Sequence, residues 1–208
     1  MEINSFGPLR LAPSAASAVS ICASQSPAED AIVIDGSLAT DGVATVGAAQ
    51  LITLVSGGDD SDITFTIAGT DSDGRSQSET VTGANAGTAT STKYFKTVTG
   101  ITQSGSVATT LTSGNTIASV SNTVRPTMNV SPIAIGIGVI LVSGTATYKV
   151  QHSYQNGASS HPTLWFDNSA GAKTASSEAT YATPVATIRL LLSASSSGVL
   201  SANIVQAG

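Results

Sequence analysis

Residues 63–105 read ITFTIAGTDSDGRSQSETVTGANAGTATSTKYFKTVTGITQSG, and this stretch decides the fold class. Ile63, Phe65 and Ile67 alternate with Thr64 and Thr66, the two-residue period of a strand with one buried face. Asp71-Ser72-Asp73-Gly74 follows. Asp-Gly between alternating runs is a strong hairpin signal, so residues 77–82 are the return strand. Residues 92–102 give another strand, with Tyr94 and Phe95 in opposite phase. Threonine supports this pattern, because a branched Cβ packs well on a pleated surface.

The same pattern extends outward. Residues 32–34 form a short strand closed by Asp35-Gly36, and residues 43–55 a longer one interrupted at Gly47. Residues 109–115 are polar and turn-like. Residues 133–141 are apolar on both faces, as in a central or interface strand. Residues 145–154 alternate, with Tyr148, Val150, His152 and Tyr154 on one face. Residues 164–166 make a short aromatic strand that holds the single tryptophan, Trp165. Residues 169–183 read as a long polar loop, and residues 185–192 and 199–205 as closing strands.

No helical period is long enough for an α layer. Short strands with turns every 8–12 residues predict an all-β chain of two small β-sandwich or jelly-roll-like domains. The expected division is an extended N-terminal arm at residues 1–30, a first domain at 31–117, a connector at 118–132 and a second domain at 133–208. Pro8, Pro13 and Pro27 break up the arm, with one helical turn expected around residues 15–22. Arg125-Pro126 and Ser131-Pro132 hold the connector extended.

Composition narrows the function classes. The chain has 208 residues, of which 41% are hydrophobic and only 10% charged. Soluble domains typically carry about 25% charged residues. Serine (31) and threonine (27) take the place of the missing charges. A nearly neutral surface is cheap to desolvate and suits permanent contact with neighbours; a free monomer normally carries more charge. The net charge of −5 argues against nucleic-acid binding. The charge is also uneven, −9 over residues 1–79 and +4 over residues 80–208. Cys22 is the only cysteine, which excludes an intrachain disulfide and a thiolate metal site. No apolar run reaches the roughly 18 residues of a membrane helix. Residues 11–23 faintly resemble a secretory signal. Glu2, a single upstream Arg10 and a centre of Ala and Ser argue against one.

The run SETVTGANAGTATSTKYFKTVTGI at residues 78–101 resembles a segment of uncharacterised virion proteins of tailed bacteriophages. TATYKVQH at residues 145–152, Trp165-Phe166, Pro184-Val185 leading into Ile188-Arg189-Leu190, and the closing stretch from Ser197-Gly198 to Val205-Gln206-Ala207-Gly208 resemble the second half of the same family. These pieces span most of residues 31–208. The resemblance implies a particle component that works by shape. Capsid decoration or cement comes first, and neck or tail association close behind. Its partners would be other virion proteins and further copies of itself. It would be assembled in the bacterial cytoplasm, with no membrane, nucleic acid or cofactor. A carbohydrate- or cell-surface-binding β module is the alternative from another class. It requires an exposed aromatic cluster with convergent polar groups.

Residue chemistry does not advertise an enzyme. A Ser-His-Asp arrangement needs a positioned base. Only His152 and His161 exist, and there is no G-x-S-x-G elbow. Asp59, Asp60, Asp62, Asp71 and Asp73 could pair as carboxylates or add oxygens to calcium. They sit in glycine-rich turns, however, where aspartate is favoured for local backbone bonding. Asp71-x-Asp73-Gly74 opens like a calcium loop but lacks the terminal glutamate. No catalytic, cofactor or metal residue is assigned. The candidate contact residues are Phe6, Leu9, Arg10 and Leu11 in the arm, Arg125, Pro126 and Met128 in the connector, and His152, Trp165 and Arg189 in the second domain. Arg189 is out of phase with Ile188, Leu190 and Leu192 and should face away from the core. Trp165-Phe166 is expected in the core; exposed, it would be an interface anchor or a sugar platform.

Overall fold

The computed structural model describes residues 3–27, 32–127, 133–155, 162–193 and 198–207. Among these the chain is all-β, with no helix. The strands are β1 (Ile3–Leu11), β2 (Ser17–Gln25), β3 (Ala39–Thr40), β4 (Val43–Ser56), β5 (Thr64–Thr70), β6 (Ser76–Thr82) and β7 (Thr88–Gln103). They continue with β8 (Leu111–Val120), β9 (Ala134–Ser143), β10 (Tyr148–Ser153), β11 (Phe166–Asp167), β12 (Ser177–Tyr181), β13 (Thr187–Leu192) and β14 (Val199–Ala207). The chain divides into two compact units, residues 13–119 and residues 1–12 with 120–208.

In the unit of residues 13–119 the sheet runs β6-β5-β7-β4-β8, with β2 on β8 and β3 on β4. The hairpin of β5 and β6 forms as the sequence predicts. Asp71 Oδ1 accepts hydrogen bonds from the backbone N–H of Asp73 and Arg75, and Gly74 takes the left-handed φ of 80° that closes the turn. Phe65 and Ile67 point inward to meet Ile52, Leu54, Phe95, Ile101 and Leu111, all fully buried. Each such side chain contributes roughly 1.5–3 kcal/mol by leaving water.

Two parts of this unit depart from the sequence expectation, and a third, the interruption at Gly47, takes the form of a bulge. Residues 15–22 carry no helical turn; they lie in and around strand β2. The carbonyls of Ser20 and Ile21 accept from the N–H groups of Leu38 and Gly36, so the segment is consumed by lateral pairing. Residues 109–115 are largely strand β8, not a turn. Its polar side chains Ser113 and Asn115 are buried and satisfied. Ser113 Oγ donates to the Thr53 carbonyl, and Asn115 accepts from Ser20 Oγ and donates to the Ala15 carbonyl. The sides of β2 and β8 approach closely at Gly114, where a Cβ would collide with the Ser17 carbonyl. The Gly47 interruption is a bulge, with the β4–β7 register shifting between Thr45 and Gln50. The carbonyls of Val46 and Gly47 accept from Lys96 Nζ at 2.5 and 2.8 Å. Fully buried Gln50 accepts from Ser14 N–H and donates to the carbonyls of Ser14 and Thr116. Backbone groups freed by a bulge must find partners, and these side chains supply them.

The unit of residues 1–12 and 120–208 holds a four-stranded sheet, β1-β14-β9-β12, and a second sheet, β11-β10-β13. Leu9, Leu11, Ile135, Ile137, Val139, Leu200, Ala202 and Ile204 of the first sheet are buried, as are Tyr148, Val150, Ile188, Leu190 and Leu192 of the second. The Tyr148 hydroxyl reaches across to the Ala175 carbonyl and Ser177 Oγ, tying the two sheets together.

The first residues are extended, as expected, but they are not a free arm. β1 pairs antiparallel with β14, with a register shift between Phe6 and Leu9. Pro8 lies in that shift, and proline has no N–H to give the ladder. The connector is likewise tied down over its described part. Val124 exchanges backbone hydrogen bonds with Ile188, and the Gln206 side chain bonds both the N–H and the carbonyl of Thr127. The expected loop at residues 169–183 contains β12, whose Ala179 and Tyr181 turn inward while Glu178 and Thr180 stay outside.

The β5–β7 pairing carries a register shift between Ala68 and Gly69. A Cβ on Gly69 would strike the Thr97 carbonyl, whereas Gly100 opens on empty space. Gly69→Ala is therefore expected to destabilise the protein by about 1–3 kcal/mol. Gly100→Ala should stay within about 0.5 kcal/mol of the parent. Urea unfolding of the two variants against the parent checks the difference.

Candidate functional site

The pleat of β10, β11 and β13 sorts side chains onto two faces. Gln151 lies opposite both Asp167 and Arg189, and His152 lies opposite both Phe166 and Ile188. Cross-strand partners share a face. Arg189, Gln151 and Asp167 thus form one row, while His152, Phe166 and Ile188 form the other.

The first row is a hydrogen-bonded ladder. Arg189 Nε donates to Gln151 Oε1 at 2.9 Å, Gln151 Nε2 donates to Asp167 Oδ1 at 2.9 Å, and Lys149 Nζ donates to Asp167 Oδ2 at 2.6 Å. The hydrogen bonds from Lys149 and then Gln151 hold the Asp167 carboxyl below its ordinary value of 3.8. Trp165 precedes β11 by one residue and lies half-buried, with the Arg189 guanidinium 3.8 Å from its ring centroid. This is cation–π geometry, and the indole N–H is satisfied by the Pro162 carbonyl.

The second row ends in an aromatic cluster. The His152 ring stacks on Phe166 with centroids 5.7 Å apart, and meets Tyr154 edge-on at 5.2 Å and Tyr181 at 5.0 Å. Tyr154 and Phe166 are 5.8 Å apart. Tyr181 comes from β12 and is buried, and burial pushes its hydroxyl up to about 12. Toward solvent the cluster is open: Tyr154 is 61% exposed, Leu164 55% and Phe166 41%. Beneath them His152 is 9% exposed, and its Nδ1 has no hydrogen-bond partner. Only nine residues of this chain are Phe, Trp or Tyr, and three of them, Tyr154, Phe166 and Tyr181, meet around His152.

The sequence-based candidates separate into three groups. Trp165, Arg189 and His152 come together, and Arg189 does face away from Ile188, Leu190 and Leu192. Trp165-Phe166 is not core: the pair lies at the edge of a sheet, where none of the strands among the described residues pairs beyond β11. Leu9 and Leu11 cannot offer a contact surface, because β1 turns both into the core. Pro126 is buried too, while Arg10 and Arg125 are exposed and Phe6 half-buried. Met128 lies outside the described residues. Leu164, Tyr181, Gln151, Asp167 and Lys149 are not among the sequence-based candidates, whereas Tyr154 is read there on the face of His152. The phase shared by His152 and Tyr154, and by Trp165 and Asp167, was the available signal.

Three of the turn carboxylates are engaged locally, while Asp60 is fully buried and accepts from the Ala108 N–H through Oδ1. Asp71 and Asp73 both lie within 4 Å of the Arg75 guanidinium, and Asp59 accepts from Ser61 and Asn85. Among the described residues no group of three or more His, Cys, Asp or Glu is placed to hold a metal. Cys22 is buried, and desolvation, helped by nearby Asp35, pushes its thiol up to about 11.

No protein-family model and no curated protein matches the chain. Among solved structures, a crystal structure of allantoicase from Saccharomyces cerevisiae aligns at 10% identity, over 77% of this chain and 76% of that one. Its TM-score is 0.22, which carries no argument about fold or activity.

Burial holds the His152 imidazole below its ordinary value of 6.5. As pH falls, the unfolded chain takes up this proton before the folded one does. Stability is therefore lost from about pH 6.5 downward, until the folded imidazole protonates as well. Asp167 acts only lower, because its stabilising share is lost as pH falls below 3.8. Between pH 7 and pH 5 the melting temperature should fall, and His152→Gln should fall less. Thermal melts at both pH values check this.

Proposed function

We propose that this chain is a non-enzymatic structural protein of a tailed bacteriophage particle, acting through non-covalent subunit contacts. Decoration or cement on the capsid is the first assignment, and a neck or tail position the near alternative. The observation that carries this reading is the placement of large apolar side chains on a weakly charged β surface. Tyr154, Leu164 and Phe166 are exposed, the Trp165–Arg189 pair lies on the opposite face of the same sheet, and Ile140 and Val142 are exposed on β9. Tryptophan, tyrosine and arginine are the residues that most often dominate contact energies. The hydroxyl-rich strands around them lose little on desolvation, since few full charges have to leave water. The resemblance of residues 78–101 and 145–208 to virion proteins supports the same assignment.

Charge adds a second support. Residues 13–119 carry ten acidic and three basic residues, and the other unit three acidic and five basic. The two units of one chain therefore differ in sign, and copies arranged head to tail would present opposite charges to one another.

The test is particle composition. Purified particles should contain the chain at a fixed ratio to the shell or tail protein, and a particle map should place its copies in a symmetric array. Particles assembled without it should rupture at lower temperature or fail to assemble. Particles that never contain the chain would overturn the assignment.

A further inference from the structure

We propose that the outer face of the β1-β14-β9-β12 sheet binds a second copy of this chain, sheet against sheet, about a two-fold axis that runs along the strands between β14 and β9. This pairing rests on the reading of Ile140 and Val142 as contact residues given above, and does not depend on a particle role.

The pleat fixes which side chains make up this face. Leu9, Leu11, Ile137, Val139, Ala202 and Ile204 point inward and are buried, so their neighbours in sequence point outward. Strand pairing arranges the outward positions in rows. Ser5, Val205, Gly136 and Thr180 form one row. Asn203, Gly138 and Glu178 form the next, and Arg10, Ser201 and Ile140 a third. Ile3 lies before the first row, and Val142 follows the third in the phase of Ile140. Ile3 is 64% exposed, Val142 56%, Ile140 50% and Val205 41%. An antiparallel sheet with one face on the core normally turns polar residues to water on the other. Apolar side chains gathered on that outer face mark a contact surface.

Shape favours a second copy as the occupant. Two sheets pack face to face about 10 Å apart with their strands roughly aligned. A two-fold axis along the strands lays each row on the same row of the other copy, with the strand order reversed. β14 then lies over β9 of the second copy, and β1 over its β12. Val205 meets Gly136, Asn203 meets Gly138, and Ile140 meets Ser201. Each larger side chain thus faces a small residue. A Cβ built at Gly136 or Gly138 meets nothing within 4 Å, so both positions are open to receive a side chain from outside.

Charge selects the same orientation. Arg10 and Glu178 are the charged residues of these rows. Both are exposed, and among the described residues neither forms an ion pair. They sit on the two opposite edge strands, one row apart. The proposed axis sets Arg10 beside Glu178 of the second copy, and symmetry makes that contact twice. An axis across the strands would lay β1 on β1 and leave neither charge an opposite partner. An apolar centre with complementary charges at the rim is the usual anatomy of a specific contact. Strands about 4.8 Å apart and up to about ten residues long give the face roughly 500 Å² in projection. That is at the small end for specific pairs, and it suits a dimer that exchanges with monomer.

Sedimentation velocity of the purified chain, from low-micromolar to submillimolar concentration, tests the pairing. The parent should show a monomer–dimer equilibrium. Val205→Lys and Ile140→Lys put a charge at the centre of the face and should each raise the dimer Kd at least tenfold. Both positions are exposed, so these variants should melt close to the parent. Val33→Lys, at an exposed position in the unit of residues 13–119, should leave Kd unchanged. Arg10→Glu and Glu178→Arg should each weaken the dimer, and the two together should recover part of what either one loses. The proposed pairing is overturned if the parent stays monomeric throughout that range, or if the dimer survives Val205→Lys combined with Ile140→Lys. It is overturned too if the double charge exchange is no tighter than the single ones. A monomer that is still recovered in particles removes this pairing and leaves the particle role standing. A dimer with the expected variant pattern, formed by a chain that particles never contain, upholds the pairing and removes the particle role.

Discussion

The two-residue pleat of a β-strand is the constraint on which this molecule's surface chemistry depends. At β10, β11 and β13 it separates neighbours in sequence onto opposite faces. Trp165 and Asp167 go with Gln151 and Arg189; Phe166 goes with His152. One strand end thereby supplies two kinds of surface on opposite faces of the sheet: a fixed polar ladder, and open rings. A register slip of one residue would exchange the faces and bury the charges. The register is held by the buried side of the same strands, where Tyr148, Val150, Ile188 and Leu190 leave the pairing no alternative that keeps them out of water.

The low charge of the chain has a structural cost that the fold meets with amides and hydroxyls. Bulges in β4 and between β2 and β8 leave backbone groups without ladder partners. Gln50, Asn115, Ser113 and Lys96 supply them. Burial lowers the pKa of the Lys96 ammonium, yet two carbonyl acceptors keep that group in place. The interior is thus specified by directional bonds as much as by packing. Groups of this kind are expensive when left half-satisfied, which favours one arrangement over its near alternatives.

The legible parts of the fold were those in which burial alternates. β5 and β13 could be read because Ile, Phe and Leu recur every second residue, and Asp73-Gly74 marked the turn that returns the chain as β6. β8 could not. LTSGNTIASV is buried on both faces, but with Ser, Asn and Gly in place of large apolar groups, and its polarity imitates a turn. β12 was hidden among small residues, although Ala179 and Tyr181 carry the period. The N-terminal segment was misjudged for another reason. Prolines mark an extended chain but do not say whether it is paired, and β1 finds its partner nearly two hundred residues away. Of the site, Trp165, Arg189 and His152 were found from their residue types. Their neighbours depend on cross-strand register, which no local pattern encodes.

Mechanically, the paired N-terminus matters more than a free arm would. A loose arm loses ordering entropy when it docks. Here that cost is met within the fold, because β1 is laid against β14 and Leu9 and Leu11 are buried. Among the described residues, the surface this leaves consists of sheet edges and the aromatic end of β11. Rigid surfaces bind with little reorganisation, so affinity depends on how well a few anchors are filled and not on the length of chain that wraps. In a chain with nine aromatic residues, the convergence of three of them around His152 makes that sheet end the principal candidate for such an anchor.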